Sequence, residues 1–182
     1  MKIAVATRYL HRAGGIETYL ESLLPELVSR GHEVAVWHEF TPVPDAECFT
    51  PASVTSRPLD AAVKALGAAG SIRPDVVFLQ GLSDPGLEAQ LATMAPLVVL
   101  LHAYNGTCVS ETKTYAFPNV QPCSRPLGAG CLLRYYPRRC GGWSPVTMLT
   151  SYAKQQRRRS VLRSCASVAT LSAHMRHEAI AQ

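Results

Sequence analysis

Met1 to Trp37, MKIAVATRYLHRAGGIETYLESLLPELVSRGHEVAVW, is the stretch that decides the fold. Ile3 to Ala6 is a short apolar run of the kind a buried strand shows. From Ile16 onward, Tyr19, Leu20, Leu23, Leu24, Leu27 and Val28 recur at three- and four-residue steps, the period of an amphipathic helix. Gly31, able to take positive φ, closes that helix, and Val34 to Trp37 forms a second strand. A strand, helix and strand of this length make the unit of a right-handed parallel crossover. Pro25 falls inside the helix, where its ring and missing N–H predict a kink or a break one turn earlier.

The alternation continues downstream. Prolines 42, 44, 51 and 58 mark a loop that holds at most one short strand near Ser53 to Thr55. A helix is predicted from Asp60 to about Ala69, a strand from Val76 to Leu79, a helix opened by Asp84-Pro85, and a strand from Leu97 to Leu101. This order predicts an α/β, Rossmann-like fold: a mostly parallel sheet with helices on both faces. His102 to Trp143 is rich in Pro, Gly and Cys and too long for a simple connection, which points to a functional segment. Ser144-Pro145 then caps a helix running to about Arg163, Ser167 to Leu171 reads as a strand, and Ser172 opens a last helix. The reading is one domain over 1–182 with a Cys-rich insertion at about 103–143.

Composition agrees with this. At 182 residues and 47% apolar content the chain can bury one substantial core. Apolar runs such as Leu97 to Leu101 fall far short of the roughly 20 residues a membrane-spanning helix needs. The opening Met1-Lys2-Ile3-Ala4-Val5 reads as a strand, not a signal peptide, so a cytoplasmic protein is expected. The net charge of +5 hides an asymmetry: Thr112 to His177 contains eleven Lys and Arg and no carboxylate. A solvated basic face, an anionic membrane, a phosphorylated acceptor and nucleic acid are all compatible with such a stretch.

Ligands of open α/β sheets sit beyond the carboxyl ends of the strands. The residues there are Ala13-Gly14-Gly15 after the first strand, Gln80-Gly81, His102 directly after Leu101, and Ser172 with His174. Glycines before a helix let a ligand approach the backbone, and the free N–H groups of the first turn favour an anion, although tight turns use glycine equally. Glu17 can simply complement the helix dipole. His102 can hydrogen-bond a sugar hydroxyl or a reacting oxygen, or it can pack against the core. Cys108, Cys123, Cys131 and Cys140 have 14, 7 and 8 residues between them and no C-x-x-C knuckle. They could close a tetrahedral zinc site or remain free or transiently oxidised thiols. Cys48 and Cys165 read as ordinary small core residues.

The segment Gly14-Gly15-Ile16-Glu17-Thr18-Tyr19-Leu20, followed by Leu23, Leu27 and Ser29-Arg30-Gly31-His32-Glu33-Val34, resembles the opening of the family-four glycosyltransferases of the GT-B fold. Arg73-Pro74-Asp75-Val76-Val77 with Gln80-Gly81, then Val98 to His102, and finally Ser167 to Ser172 resemble later landmarks of that family in the same order. Some members carry a similar cysteine-rich stretch after the strand-end histidine. The resemblance implies a two-domain enzyme that moves a sugar from a nucleotide diphosphate sugar to an acceptor, which is a glycan, a lipid-linked sugar or a small molecule. It also implies that Gly14-Gly15 lies near the donor phosphates, with Glu17, Gln80, Gly81 and Ser172 on the same binding side, and His102 near the transferred sugar. The family's C-terminal nucleotide-sugar-binding domain, with its spaced glutamate pair, lies outside these residues, so the chain alone is expected to be inactive. Membrane-associated members favour peripheral docking on the inner membrane face, over nucleic acid, as the use of Lys154, Arg157, Arg158, Arg159 and Arg163.

Two other readings compete. A nicotinamide or other nucleotide-binding Rossmann protein shares the outline, including Glu39 after the second strand, but no G-x-G-x-x-G occurs. A non-catalytic basic module for membrane or nucleic acid fits the charge but offers few interleaved aromatics for base stacking.

Overall fold

The computed structural model describes residues 1–44, 46–67, 73–171 and 173–180. Its elements in chain order are β1 (Lys2–Thr7), α1 (Gly15–Ser29), β2 (Glu33–His38), β3 (Thr55–Pro58), α2 (Leu59–Gly67), β4 (Val76–Leu79), α3 (Pro85–Met94) and β5 (Leu97–Leu101). The strands β6 (Thr114–Tyr115) and β7 (Gln121–Pro122), the helices α4 (Ala129–Tyr135) and α5 (Pro145–Ser164), the strand β8 (Ser167–Thr170) and the helix α6 (Ala173–Ile180) follow. The chain divides into two compact units, Met1–Leu100 with Cys165–Ser167, and Leu101–Ser164 with Val168–Gln182.

The main sheet has six strands in the order β3-β2-β1-β4-β5-β8. Its pairings β1 with β2, β1 with β4, β2 with β3 and β4 with β5 are all parallel. Counting only the strands of this sheet, the order is the 3-2-1-4-5-6 of a dinucleotide-type Rossmann sheet, and it reverses between β1 and β4. The expected α/β architecture is present.

In the first unit, alternation along each strand explains the core. Val5, Val34 and Val36 pack with Leu20 and Leu24 of α1, both fully buried. Their neighbours Ala4, Ala6, Val77 and Leu79 point the other way and are buried as well, as a sheet covered on both faces requires. Three boundaries differ from expectation. Strand β3 lies at Thr55–Pro58, later than Ser53 to Thr55, because those residues pair with Ala35 to His38 of β2. Helix α1 runs through Pro25 without a break, because a proline in a long helix forfeits one hydrogen bond that the packing of Leu20 and Leu24 outweighs. Helix α2 begins one residue earlier than predicted, with buried Leu59 against the sheet. At the end of α1, Gly31 takes φ +78° and donates to Val28 O at 2.9 Å, while His32 donates to Leu27 O at 3.2 Å, which stops the helix and turns the chain into β2.

The second unit is built differently. A two-stranded antiparallel ribbon of β6 and β7 and the short helix α4 lie between β5 and α5. Their apolar cluster is Val109, Leu127 and Tyr135, with Cys131, Tyr136, Cys140, Met148 and Tyr152 packed around it.

Candidate functional site

The loops leaving β1 and β4 are neighbours because Ala6 and Leu79 pair in register, and this is where the strand order reverses. Hydrogen bonds knit the two exits together. Arg8 Nε donates to Gly81 O at 3.1 Å and a terminal nitrogen of Arg8 to Leu82 O at 3.4 Å. Gly81 needs its lack of a side chain, since it turns at φ +80°. Gln80 is buried, and its N–H donates to Ala6 O at 2.9 Å. Leu82 N–H donates to buried Glu88 Oε1 at 2.8 Å, and Ser83 and Asp84 donate to the two carboxylate oxygens of Glu39 at 2.6 and 3.0 Å. Asp84 in turn caps α3 by accepting from Gly86 N–H at 2.7 Å.

The loop from β1 to α1 is held on its other side. Phe49 N–H donates to Leu10 O at 3.0 Å, His11 bridges Cys48, and Tyr9 stacks on Phe40 with ring centroids 5.3 Å apart. Gly14 caps α1 in extended conformation and makes no side-chain capping hydrogen bond. A Cβ added at Gly15 would meet nothing within 4 Å, and one added at Gly14 would stand 3.6 Å from Glu17 Oε2. Neither glycine is demanded by crowding or by positive φ inside this chain. Glu17 is 4% exposed, so it lies beneath the loop at the helix start and not on the surface that a simple dipole partner would occupy. Thr7 Oγ1, at the end of β1, is buried and has no hydrogen-bond partner among the described residues.

Gly14, Gly15 and Glu17 at the start of α1 and Gln80 and Gly81 after β4 all lie in the first unit. His102 follows β5 and is half-buried at the start of the second unit. Ser172 lies outside the described residues. Arg8 and Glu88, which help tie the loops in place, were not singled out by the sequence, and Glu39 was noted only for the dinucleotide reading. Glu39 stands where a dinucleotide enzyme carries its ribose carboxylate, but both of its oxygens are occupied by main-chain amides. A groove of ≈ 460 Å³ lined by Lys2, His32, Glu33 and Arg73 runs along the starts of β1 and β2, away from these strand ends.

In the second unit the insertion is pinned to α5 by a polar network. Gln155 Oε1 accepts from Gly106 N–H at 2.6 Å, and its Nε2 donates to Glu111 Oε1 at 2.6 Å. Arg158 donates to the same carboxylate at 2.9 Å and to Asn105 Oδ1 at 3.1 Å, with only 3% of its side chain exposed. Arg159 donates to Leu127 O at 2.9 Å. This corrects the expectation for the basic helix, since Arg158 and Arg159 hold the insertion and are not part of an outward cationic face. Arg157 and Arg163 remain exposed.

Cys108, Cys123, Cys131 and Cys140 line one small cavity together with Tyr115, Arg125, Arg134 and Tyr135. As they stand, no three His, Cys, Asp or Glu side chains among the described residues are arranged to hold a metal ion. Burial first, and then the three neighbouring thiols, push Cys140 up to about 11, against a smaller pull from Arg138. Tyr115 is raised by burial and by its hydrogen bond with Cys123. Cys165 is half-buried, but Cys48 is exposed and so is not the core residue expected. No helix among the described residues is long and apolar enough to cross a membrane.

Sheet order and parallel pairing define a Rossmann-like α/β fold. Residues 13–182 match the model of Glycosyltransferase Family 4, and the chain belongs to that family. The family is one of glycosyltransferases. No curated protein matches the chain. Among solved structures it is similar to the UDP-glucose 4-epimerase of Thermus thermophilus crystallised with NAD, at 16% identity and a TM-score of 0.43. That match covers 93% of this chain and 54% of the epimerase, so the chain spans about half the length of that relative.

Proposed function

We propose that the chain is the N-terminal, acceptor-side domain of a two-domain glycosyltransferase that moves a sugar from a nucleotide diphosphate sugar to an acceptor. The observation that carries this is the family match over 13–182. The open approach to Gly15 and a helix start whose N-cap glycine offers no side-chain cap support it, because N–H groups at a helix start favour a phosphate. In this reading Gly14 and Gly15 face the donor phosphates, Gln80 and Gly81 shape the neighbouring wall, and His102 meets the transferred sugar. The nicotinamide alternative is disfavoured by the engagement of Glu39 with Ser83 and Asp84. The isolated chain is expected to show no nucleotide-sugar turnover, and joining it to a nucleotide-sugar-binding domain is expected to restore it. Turnover by the 182-residue chain alone, or saturable binding of NAD, would overturn the reading.

We also infer peripheral docking on the cytoplasmic face of an anionic membrane. Leu133, Trp143 and Val146 are at least 69% exposed, and Arg134, Arg139, Arg157 and Arg163 are exposed in the same carboxylate-free stretch. Apolar side chains inserted at the headgroup level and cations worth roughly 1 kcal/mol each give reversible binding. Sedimentation with phosphatidylserine vesicles is expected at low salt, fading as ionic strength rises, with none on neutral vesicles. Equal sedimentation with both lipids, or with neither, would refute docking on an anionic surface.

A further inference from the structure

The four cysteines of the insertion come from separate stretches of chain and meet around one cavity of ≈ 20 Å³. Such a volume takes a single small occupant. We infer that this cavity is a structural zinc site, in which Cys108, Cys123, Cys131 and Cys140 turn inward as thiolates and hold one ion.

Charge separates this from the other way of using four thiols. Two disulfides are neutral, whereas a zinc ion held by four thiolates carries two net negative charges that burial makes costly without nearby cations. Arg125 and Arg134 line the cavity. Lys113 is 3% exposed in the same unit, its ammonium donating to Arg125 O. From Thr112 to His177 no carboxylate competes for these cations. The one carboxylate just upstream, Glu111, is engaged by Arg158 and Gln155.

Beyond the polar network on α5, the described residues of the second unit offer little to hold the insertion. Its apolar cluster is three buried residues, and its regular structure before α5 is two strands of two residues and one helix of seven. Ordering a long loop costs on the order of 1 kcal/mol per residue or more, which such a core does not offset. Glu111, Lys113 and Arg139 hold positive φ of 63°, 54° and 48°, so the loop is fixed against its own backbone preference beside the cysteines. Binding of a metal to a site that exists only in the folded state is folding free energy, and it supplies what the core does not.

The thiols now make weak contacts, Cys131 to Pro126 O at 3.7 Å, Cys140 to Arg134 O at 3.9 Å, Cys108 to Ser110 Oγ at 3.4 Å, and Cys123 with the Tyr115 hydroxyl. Coordination at about 2.3 Å replaces them, and four protons leave to solvent as the zinc–sulfur bonds form.

The test uses the full 182-residue chain, purified without chelator, nickel resin or added metal. Elemental analysis is expected to give one zinc per chain. Thiol titration of the native protein is expected to reach Cys48 and Cys165 first, and the other four only after a chelator. Cobalt substitution is expected to give the visible bands of a tetrahedral thiolate site. Cys123→Ser and Cys140→Ser should each lose about nine tenths of the zinc, whereas Cys48→Ser and Cys165→Ser should keep all of it. If the first pair does not fold, the cobalt spectrum of the unmutated protein still decides. Metal-free protein with six free thiols that takes up no cobalt, or an intact mass lacking two or four hydrogens, would overturn the inference.

Discussion

Replacing His102 by alanine, in an enzyme that joins this chain to its nucleotide-sugar-binding domain, is expected to lower kcat about 100-fold, the usual loss on removing a polar group that acts on the reacting atoms. His102 leaves β5 at the end where parallel-sheet ligands bind, and it is half-buried, so its imidazole is neither lost in the core nor fully in water. An imidazole there can accept or donate a hydrogen bond near neutral pH, which a methyl group cannot. If it acts mainly in the transition state, kcat and kcat/KM fall together and KM stays within about threefold. The unfolding midpoint should barely move. A His102→Ala enzyme with normal turnover, or one whose stability falls as much as its rate, would return His102 to a packing role.

The parts of this fold that could be read in the sequence are those set by local periodicity. Strand β1, helix α1 and strand β2 each carry a repeat that only one element type satisfies, and their buried faces follow from it. Helix α3 was visible through Asp84-Pro85, whose cap is made by two adjacent residues. Tertiary packing decided the rest. Pro25 argued for a break, but the loss of one hydrogen bond is small beside the burial of Leu20 and Leu24. Helix α4 begins at Ala129-Gly130, poor helix-starting material, and exists because Tyr135 packs into the local cluster.

The candidate site was legible to a similar degree. Gly81 and His102 stand within two residues of strand ends in the chain itself, so their placement follows from the strands, and Gly14-Gly15 is placed by the start of α1. Arg8 and Glu88 do not announce themselves, and the tying role of Glu39 is equally hidden, because the contacts of Arg8 and Glu39 lie 73 and 44 residues away and depend on which strands are neighbours. Helix α5 misled for the same reason. Arg157, Arg158 and Arg159 are equivalent in sequence, yet Glu111, 47 residues upstream, turns Arg158 into an interior group.

Gly106→Ala is expected to cost the second unit roughly 3 kcal/mol, among the larger losses a single methyl can cause. Gly106 turns at φ +74°, and its N–H donates to Gln155 on α5. An added Cβ would stand 2.7 Å from Leu162 Cδ1, 3.2 Å from the Arg159 backbone nitrogen and 3.4 Å from the Arg158 carbonyl carbon. The leucine tip can move, but the helix backbone cannot without disturbing the Gln155 and Arg158 bonds that tie the insertion down. Two causes therefore act, an unfavourable φ and a close approach, and asparagine separates them. Asn tolerates left-handed backbone far better than Ala but carries the same Cβ. If close approach dominates, Gly106→Asn should be at least as damaging as Gly106→Ala in urea unfolding. The control is Gly128→Ala, where the backbone is extended and nothing lies within 4 Å of the new carbon, so the change should stay within about 1 kcal/mol. Recovery of stability in Gly106→Asn would make backbone conformation the cause, and equal stability of the Gly106 and Gly128 variants would mean that α5 does not press on this loop.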